Sequence, residues 1–233
     1  MPLRFTYYAG ETVSLETYIC NDTNQVIGDG WQVKYELYQG DRVVMSAQTA
    51  ARADACIPQY TASCEFTAPE VADREKFSVR GILLNPEGQV VSYDDFPIEV
   101  FADVTVPENE NVVLISDLKN GTYEIAGETV IVEDCPKTGV YFLSRKTGHE
   151  AVAEFAPMDF RMWYDAKLDR LSPIAKICFR SEGFRPILIA NGDFDPRLVV
   201  AEKYYEGKRY IISTADLRLE NPIAKRFLRN LMQ

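Results

Sequence analysis

Between Arg4 and about Asp103, apolar and polar side chains alternate with a period of two, and this alternation constrains the fold more than any other feature of the chain. Val13, Leu15, Thr17 and Ile19 alternate with Ser14, Glu16 and Tyr18, and Trp31, Val33, Tyr35 and Leu37 with Gln32, Lys34 and Glu36. Successive side chains on a strand point to opposite faces, so each run reads as a strand with one face on a core and the other in water. Turn-forming clusters punctuate the runs at residues 21–24, 28–30, 40–41 and 85–88. Further strands are expected at 42–47, 60–66, 76–84, 89–93 and 98–101. Seven or eight short strands in about 100 residues predict an immunoglobulin-like β-sandwich, although the cysteine–tryptophan–cysteine signature of antibody domains is missing.

The pattern changes after residues 103–111, a polar, acidic, proline-containing stretch that reads as a domain boundary, with domains at 1–104 and 105–233. Apolar runs follow at 112–115, 140–143, 186–189 and 210–212, and residues 199–205 and 210–213 flank a hairpin turn at Glu206 and Gly207. Residues 169–181 allow a helix with Pro173 near its start. The clearest helix is at the end of the chain. Asn221 suits its cap and Pro222 its first turn; Ile223, Phe227, Leu228 and Leu231 share one face, and Lys225, Arg226 and Arg229 crowd the later turns. Continuous apolar strands together with a good helix predict an α/β layer structure for the second half.

Chemistry is harder to find. A formal net charge of -10 argues against nucleic acid as a partner, because phosphate binding rests on Lys and Arg. No apolar run reaches the roughly 20 residues that span a bilayer, and the first residues carry no secretory pattern. The compartment stays open, since a leader on another part of a longer protein would not show here. The five cysteines lack the spacing of a zinc site and read as buried free thiols, with Cys56 and Cys64 able to pair if their strands face each other. The single histidine, His149, sits in a polar loop and reads as a structural or surface residue. Neither Cys135 nor Cys178 carries the small-residue elbow of a hydrolase nucleophile. No glycine-rich phosphate loop is present, and residues 191–195 read as a turn rather than a calcium loop. No catalytic, cofactor-binding or metal-ligating set is assigned.

Two carboxylate pairs lie beside aromatics, Asp94 with Asp95 and Asp159 with Asp165, as glycosidases require, yet adjacency in sequence does not set their separation in space. Phe160, Trp163 and Tyr164 either fill a core or leave Trp163 or Tyr164 exposed beside Asp165 as a carbohydrate contact surface.

Phe155-Ala-Pro-Met-Asp-Phe-Arg-Met-Trp-Tyr-Asp165, Glu182-Gly-Phe-Arg-Pro-Ile-Leu188, Glu202-Lys-Tyr-Tyr-Glu-Gly-Lys208 and Asp216-Leu-Arg-Leu-Glu-Asn-Pro-Ile-Ala-Lys-Arg-Phe-Leu228 resemble the C-terminal region of bacterial glycoside hydrolase family 2 proteins. Ala9-Gly-Glu-Thr-Val-Ser-Leu15 and Trp31-Gln-Val-Lys-Tyr-Glu-Leu37 are similar to the immunoglobulin-like module that follows the catalytic barrel in such enzymes. Active members resemble β-galactosidases, β-glucuronidases and β-mannosidases, with a retaining mechanism and two glutamates on a (β/α)8 barrel. That barrel alone takes about 250 residues, so no catalytic glutamate carries over to this chain. The resemblance implies a three-layer α/β second half of the amidotransferase or flavodoxin kind, and an accessory fragment whose partner is the parent's catalytic domain. Two other readings stand beside it. One is a carbohydrate-binding module that takes oligosaccharide through Trp163, Tyr164 and Asp165. The other is a small α/β hydrolase or amidotransferase with a reactive thiol at Cys135 or Cys178.

Overall fold

The computed structural model describes residues 4–135, 142–143, 147–190 and 197–233. The chain divides into two compact units, Met1–Asp103 and Val104–Gln233.

The first unit holds β1 (Thr6–Tyr8), β2 (Thr12–Cys20), β3 (Gln32–Gln39), β4 (Arg42–Ala50), β5 (Pro58–Thr67), β6 (Arg74–Leu84) and β7 (Val90–Phe101). Five of these form a sheet in the order β1-β7-β6-β3-β4, and β2 pairs with β5 in a second sheet. The β1–β7 pair is parallel and the others are antiparallel. The alternation in sequence becomes the alternation of faces. Val13 and Leu15 from β2, Val33, Tyr35 and Leu37 from β3, and Phe77, Val79, Ile98 and Val100 from the β6–β7 hairpin meet in one core between the sheets. A hydrogen bond of 2.6 Å joins Thr17 Oγ1 to the Tyr35 hydroxyl across that core. The result is a sandwich of the immunoglobulin-like kind. The two runs expected at 89–93 and 98–101 are one long strand, because Pro97 lies within β7 without ending it.

The second unit holds β8 (Val112–Ile115), β9 (Gly121–Ile125), β10 (Glu128–Asp134), β11 (Phe142–Leu143), β12 (Met162–Asp165), β13 (Arg170–Pro173), β14 (Ile177–Arg180), β15 (Arg185–Ala190), β16 (Arg197–Tyr205), β17 (Lys208–Ser213) and α1 (Pro222–Met232), with single 3-10 turns at Glu150–Val152 and Pro157–Phe160. Eight strands form one sheet in the order β11-β15-β16-β14-β10-β9, with β17 joining β16 to β8, and β12 and β13 make a separate hairpin. All pairs are antiparallel except β17 with β8.

This overturns the three-layer α/β expectation for the second half, and with it the small α/β hydrolase or amidotransferase. Among the described residues α1 is the one α-helix. The error has a physical source. An apolar run without alternation reports burial on both faces, and it does not report whether helices or further strands supply the cover. Val199 to Ala201 and Ile187 to Ala190 are buried in that way, but their neighbours join them through antiparallel ladders. Residues 169–181, allowed as a helix, instead carry β13 and β14, and Asp169 turns the chain into β13 with a φ of 48°. The β16–β17 hairpin turns at Glu206 and Gly207, whose φ values of 46° and 76° are those of a type I′ turn. The runs expected at 140–143 and the turn at 191–195 fall largely or wholly outside the described residues.

Candidate functional site

The segment from Phe155 to Asp165 packs beneath α1. Phe155, Phe160 and Phe227 meet edge to face, with centroids 5.1 Å apart for Phe155–Phe160, 5.0 Å for Phe160–Phe227 and 6.0 Å for Phe155–Phe227. Trp163 joins this cluster 6.5 Å from Phe160, is only 6% exposed, and donates its indole N–H to the Asp159 carbonyl at 2.7 Å. Its ring faces are therefore turned into the unit. Strand alternation along β12 puts Asp165 on the same buried side and Tyr164 on the other, half-buried, with its hydroxyl donating to Asp169. Asp165 accepts from the backbone N–H groups of Lys167 and Leu168 and pairs with Arg218 at 2.7 Å. The Arg218 guanidinium holds the Asp165 carboxyl below the usual carboxylate range. The recess beside them is about 10 Å³, room for roughly one water. The three residues expected to form one contact surface thus stand on two sides of a hairpin.

A second polar centre lies on β16. Glu202, 2% exposed, accepts from Arg209 Nε at 2.6 Å, from Arg185 at 3.3 Å and from His149 Nε2 at 2.9 Å. His149 is 1% exposed, a buried side chain between the exposed residues Gly148 and Glu150. Its Nδ1 accepts the Ala151 N–H at 3.1 Å, which leaves the proton on Nε2 for Glu202. Burial pushes the Glu202 carboxyl up, but the hydrogen bonds from His149 and Arg209 outweigh it and the group is held below the usual range. Ligand atoms of His149, Glu150 and Glu202 lie within 4.8 Å of one another. They do not suit a metal ion, because both ring nitrogens are engaged and a cation would have to displace two guanidiniums from Glu202.

The remaining carboxylate pair is split by the pleat. Asp95 is on the outer face of β7, bound at both oxygens by Arg80 at 2.7 and 3.0 Å. Asp94, one residue earlier, belongs to the inner face with Ser92 and Phe96, opposite Gly81, Leu83 and Val79 of β6. Here the sandwich is open. β1 covers β7 only from Glu99 to Phe101, and β2 pairs on one side alone, with β5. Between β2 and the early part of β7 lies a cleft of about 360 Å³, walled by Leu15, Thr17 and Ile19 and floored by Tyr35, Asp94 and Phe96. A Cβ placed on Gly81 would meet nothing within 4 Å, which marks the same space. Clefts of this size are at the lower end of the roughly 300–1,000 Å³ typical of small-molecule sites. The sequence singled out Asp94 but not the cleft, which depends on how far β1 runs along β7. Glu202 and its arginines carried no signal in sequence, since they come together from three strands.

The cysteines are free: Cys20 and Cys56 are exposed, Cys64 and Cys135 half-buried, and only Cys178 is buried. Cys56 lies beside Thr23 and Asn24, and its pairing with Cys64 does not occur.

No family model and no curated protein matches this sequence. Among solved structures, the chain is similar to a cycloisomaltooligosaccharide glucanotransferase of Paenibacillus sp., complexed with cycloisomaltoheptaose, at 11% identity and a TM-score of 0.35. The match covers 55% of this chain and 16% of that one, so this chain corresponds to a small part of the larger enzyme's length. A likeness at that level leaves the functional reading to the residues themselves.

Proposed function

We propose that this chain is a non-catalytic accessory region in carbohydrate breakdown, two β units that pack on or shape the catalytic barrel of a glycoside hydrolase family 2 enzyme. The observation that carries this reading is how four described carboxylates, those beside the aromatics of β7 and β12 and the one buried on β16, are placed. A retaining glycosidase needs two carboxyl groups about 5–5.5 Å apart across an open cleft. Here Asp95 is held by Arg80, Asp165 by Arg218, and Glu202 by three donors, while Asp94 faces its cleft with Asp95 turned to the other side of the strand. The resemblance of residues 155–165 and 216–228 to family 2 proteins supplies the enzyme class. Turnover of aryl glycosides by the purified chain, lost on substitution of a carboxylate, would overturn the proposal.

A second reading, oligosaccharide binding by this chain itself, is favoured by the cleft of the first unit. An aromatic ring, a carboxylate and a hydroxyl converge there at Phe96, Asp94 and Ser92, the groups with which proteins stack on sugar rings and hydrogen-bond their hydroxyls. Amide NMR titration with a panel of plant and host oligosaccharides should then move the signals of Ser92 to Phe96 and of facing β2. Asp94→Ala, at an exposed position, should weaken that response about tenfold or more, the loss of one charged hydrogen bond. Shifts clustered instead at Tyr164, or none at all, would reject the cleft.

A further inference from the structure

The register of β10 against β14 sets Glu133 opposite Cys178 and Asp134 opposite Ile177. Cys135, which follows β10, continues it by donating its N–H to the Lys176 carbonyl at 2.9 Å. Side chains two residues apart on a strand share a face, so Cys135 and Cys178 are diagonal neighbours on the same side of the sheet. Cys178 Sγ lies 3.9 Å from the carbonyl of Asp134, the residue bonded to Cys135, which sets the two thiols side by side. Cys178 is fully buried and Cys135 half-buried, so a small reagent reaches one sulfur of the pair first. The two exposed thiols, Cys20 and Cys56, have no such neighbour: Cys20 is paired in register with Pro58, and Cys56 contacts Thr23 and Asn24.

We propose that Cys135 and Cys178 are a redox-active dithiol, in which Cys135 is oxidised by a hydroperoxide and Cys178 resolves the product to a cross-strand disulfide. In the first step the Cys135 sulfur attacks the outer oxygen of the hydroperoxide. The S–O bond forms, the O–O bond breaks, and the alcohol, or water in the case of hydrogen peroxide, leaves with the thiol proton. In the second step the Cys178 sulfur attacks the sulfur of the Cys135 sulfenic acid, forming the S–S bond and releasing water. Two thiols lose two electrons, and the hydroperoxide gains them.

The direction of attack follows from access, since Cys135 is half-buried and Cys178 buried. Cys178 directs its S–H to the Asp134 carbonyl at 3.9 Å, and the neighbouring thiol holds Cys135 below the usual thiol range although burial opposes this. Beside Cys135, and buried, Cys178 is pushed far up and stays protonated. Cys64, with no thiol beside it, is pushed up by burial. The thiolate is the nucleophile in such chemistry, so Cys135 reacts first.

The test is oxidation of the full chain with one equivalent of hydrogen peroxide, blocking of remaining thiols, and tryptic mass mapping. Trypsin places Cys178 in peptide 177–180 and Cys135 in peptide 120–137. The expected product is those two peptides joined, with the loss of two hydrogen atoms and separation by a reducing agent. Cys178→Ser should stop the reaction at a Cys135 sulfenic acid that dimedone traps. Cys135→Ser, at the half-buried position, keeps the buried thiol in place and should leave Cys178 unmodified. Oxidation that accumulates at Cys20 and Cys56 while 120–137 and 177–180 stay unlinked would overturn the proposal. So would Cys178 modification at an undiminished rate in Cys135→Ser.

Discussion

Glu202→Ala is expected to destabilise the second unit by about 3–5 kcal/mol, the usual cost of removing one partner from a buried ion pair. The carboxylate is 2% exposed and accepts from Arg209 at 2.6 Å, and Arg209 is itself largely buried. Its loss leaves the Arg209 guanidinium with the Leu231 carbonyl at 2.9 Å but no counter-charge from Glu202, and the buried His149 N–H without its acceptor. Arg185, more than half exposed, is recovered by water and adds little. Chemical denaturation, followed by a probe within residues 104–233, measures the difference. A loss below about 1 kcal/mol would mean that the network contributes no more than a surface pair.

The same network sets a pH dependence. The folded Glu202 carboxyl lies below its unfolded value, which is about 4.3. Its contribution is therefore complete above that value and is lost as pH falls through the folded one, because the unfolded state takes up the proton first. Asp165, held down by Arg218, acts in the same direction. The second unit should lose stability on acidification below about pH 4.3, and Glu202→Ala should flatten that dependence.

Phe227→Ala carries the other large effect, a loss of about 3–5 kcal/mol. Phe227 is fully buried on α1 and meets Phe155 and Phe160 edge to face, so truncation removes the ring on which the 155–165 segment closes. Because Trp163 rests on the same cluster through Phe160, its fluorescence should shift toward that of a wetter indole in the variant. Unchanged emission together with a loss below about 1.5 kcal/mol would place α1 outside the core.

Where one face of an element meets water, its sequence was readable. The β2 and β3 patterns translate residue by residue into Val13, Leu15, Val33, Tyr35 and Leu37 of the first core. The terminal helix follows the same logic. Asn221 accepts from the Ile223 and Ala224 N–H groups at 3.0 and 3.2 Å, and Ile223, Phe227 and Leu231 are buried while Leu228 is only partly so. Arg229 stands in the last turn, where a cation complements the helix dipole, and also pairs with Glu154 at 2.7 Å. Burial on both faces erased the signal elsewhere. Ile187 to Ala190 and Val199 to Ala201 look alike whether helices or strands cover them, so the sequence suggests helical layers that the described residues of the second unit do not form.

The candidate sites divide in a similar way. Asp94 and Asp95 are adjacent in sequence and therefore on opposite faces of β7, which turns an apparent carboxylate pair into one ion-paired group and one cleft group. Trp163 was one of two readings, core or contact, and its indole is enclosed. The His149–Glu202 centre joins residues 53 positions apart, a distance over which periodicity carries no information.

The proposed role is one in carbohydrate breakdown without the bond cleavage itself. The most direct measurement is a day-long NMR record of the purified chain with unlabelled oligosaccharides, in which anomeric signals report every new reducing end. The account predicts that those signals stay constant at all protein concentrations. New reducing ends that grow in proportion to the protein, and vanish when one carboxylate is replaced by its amide, would contradict it.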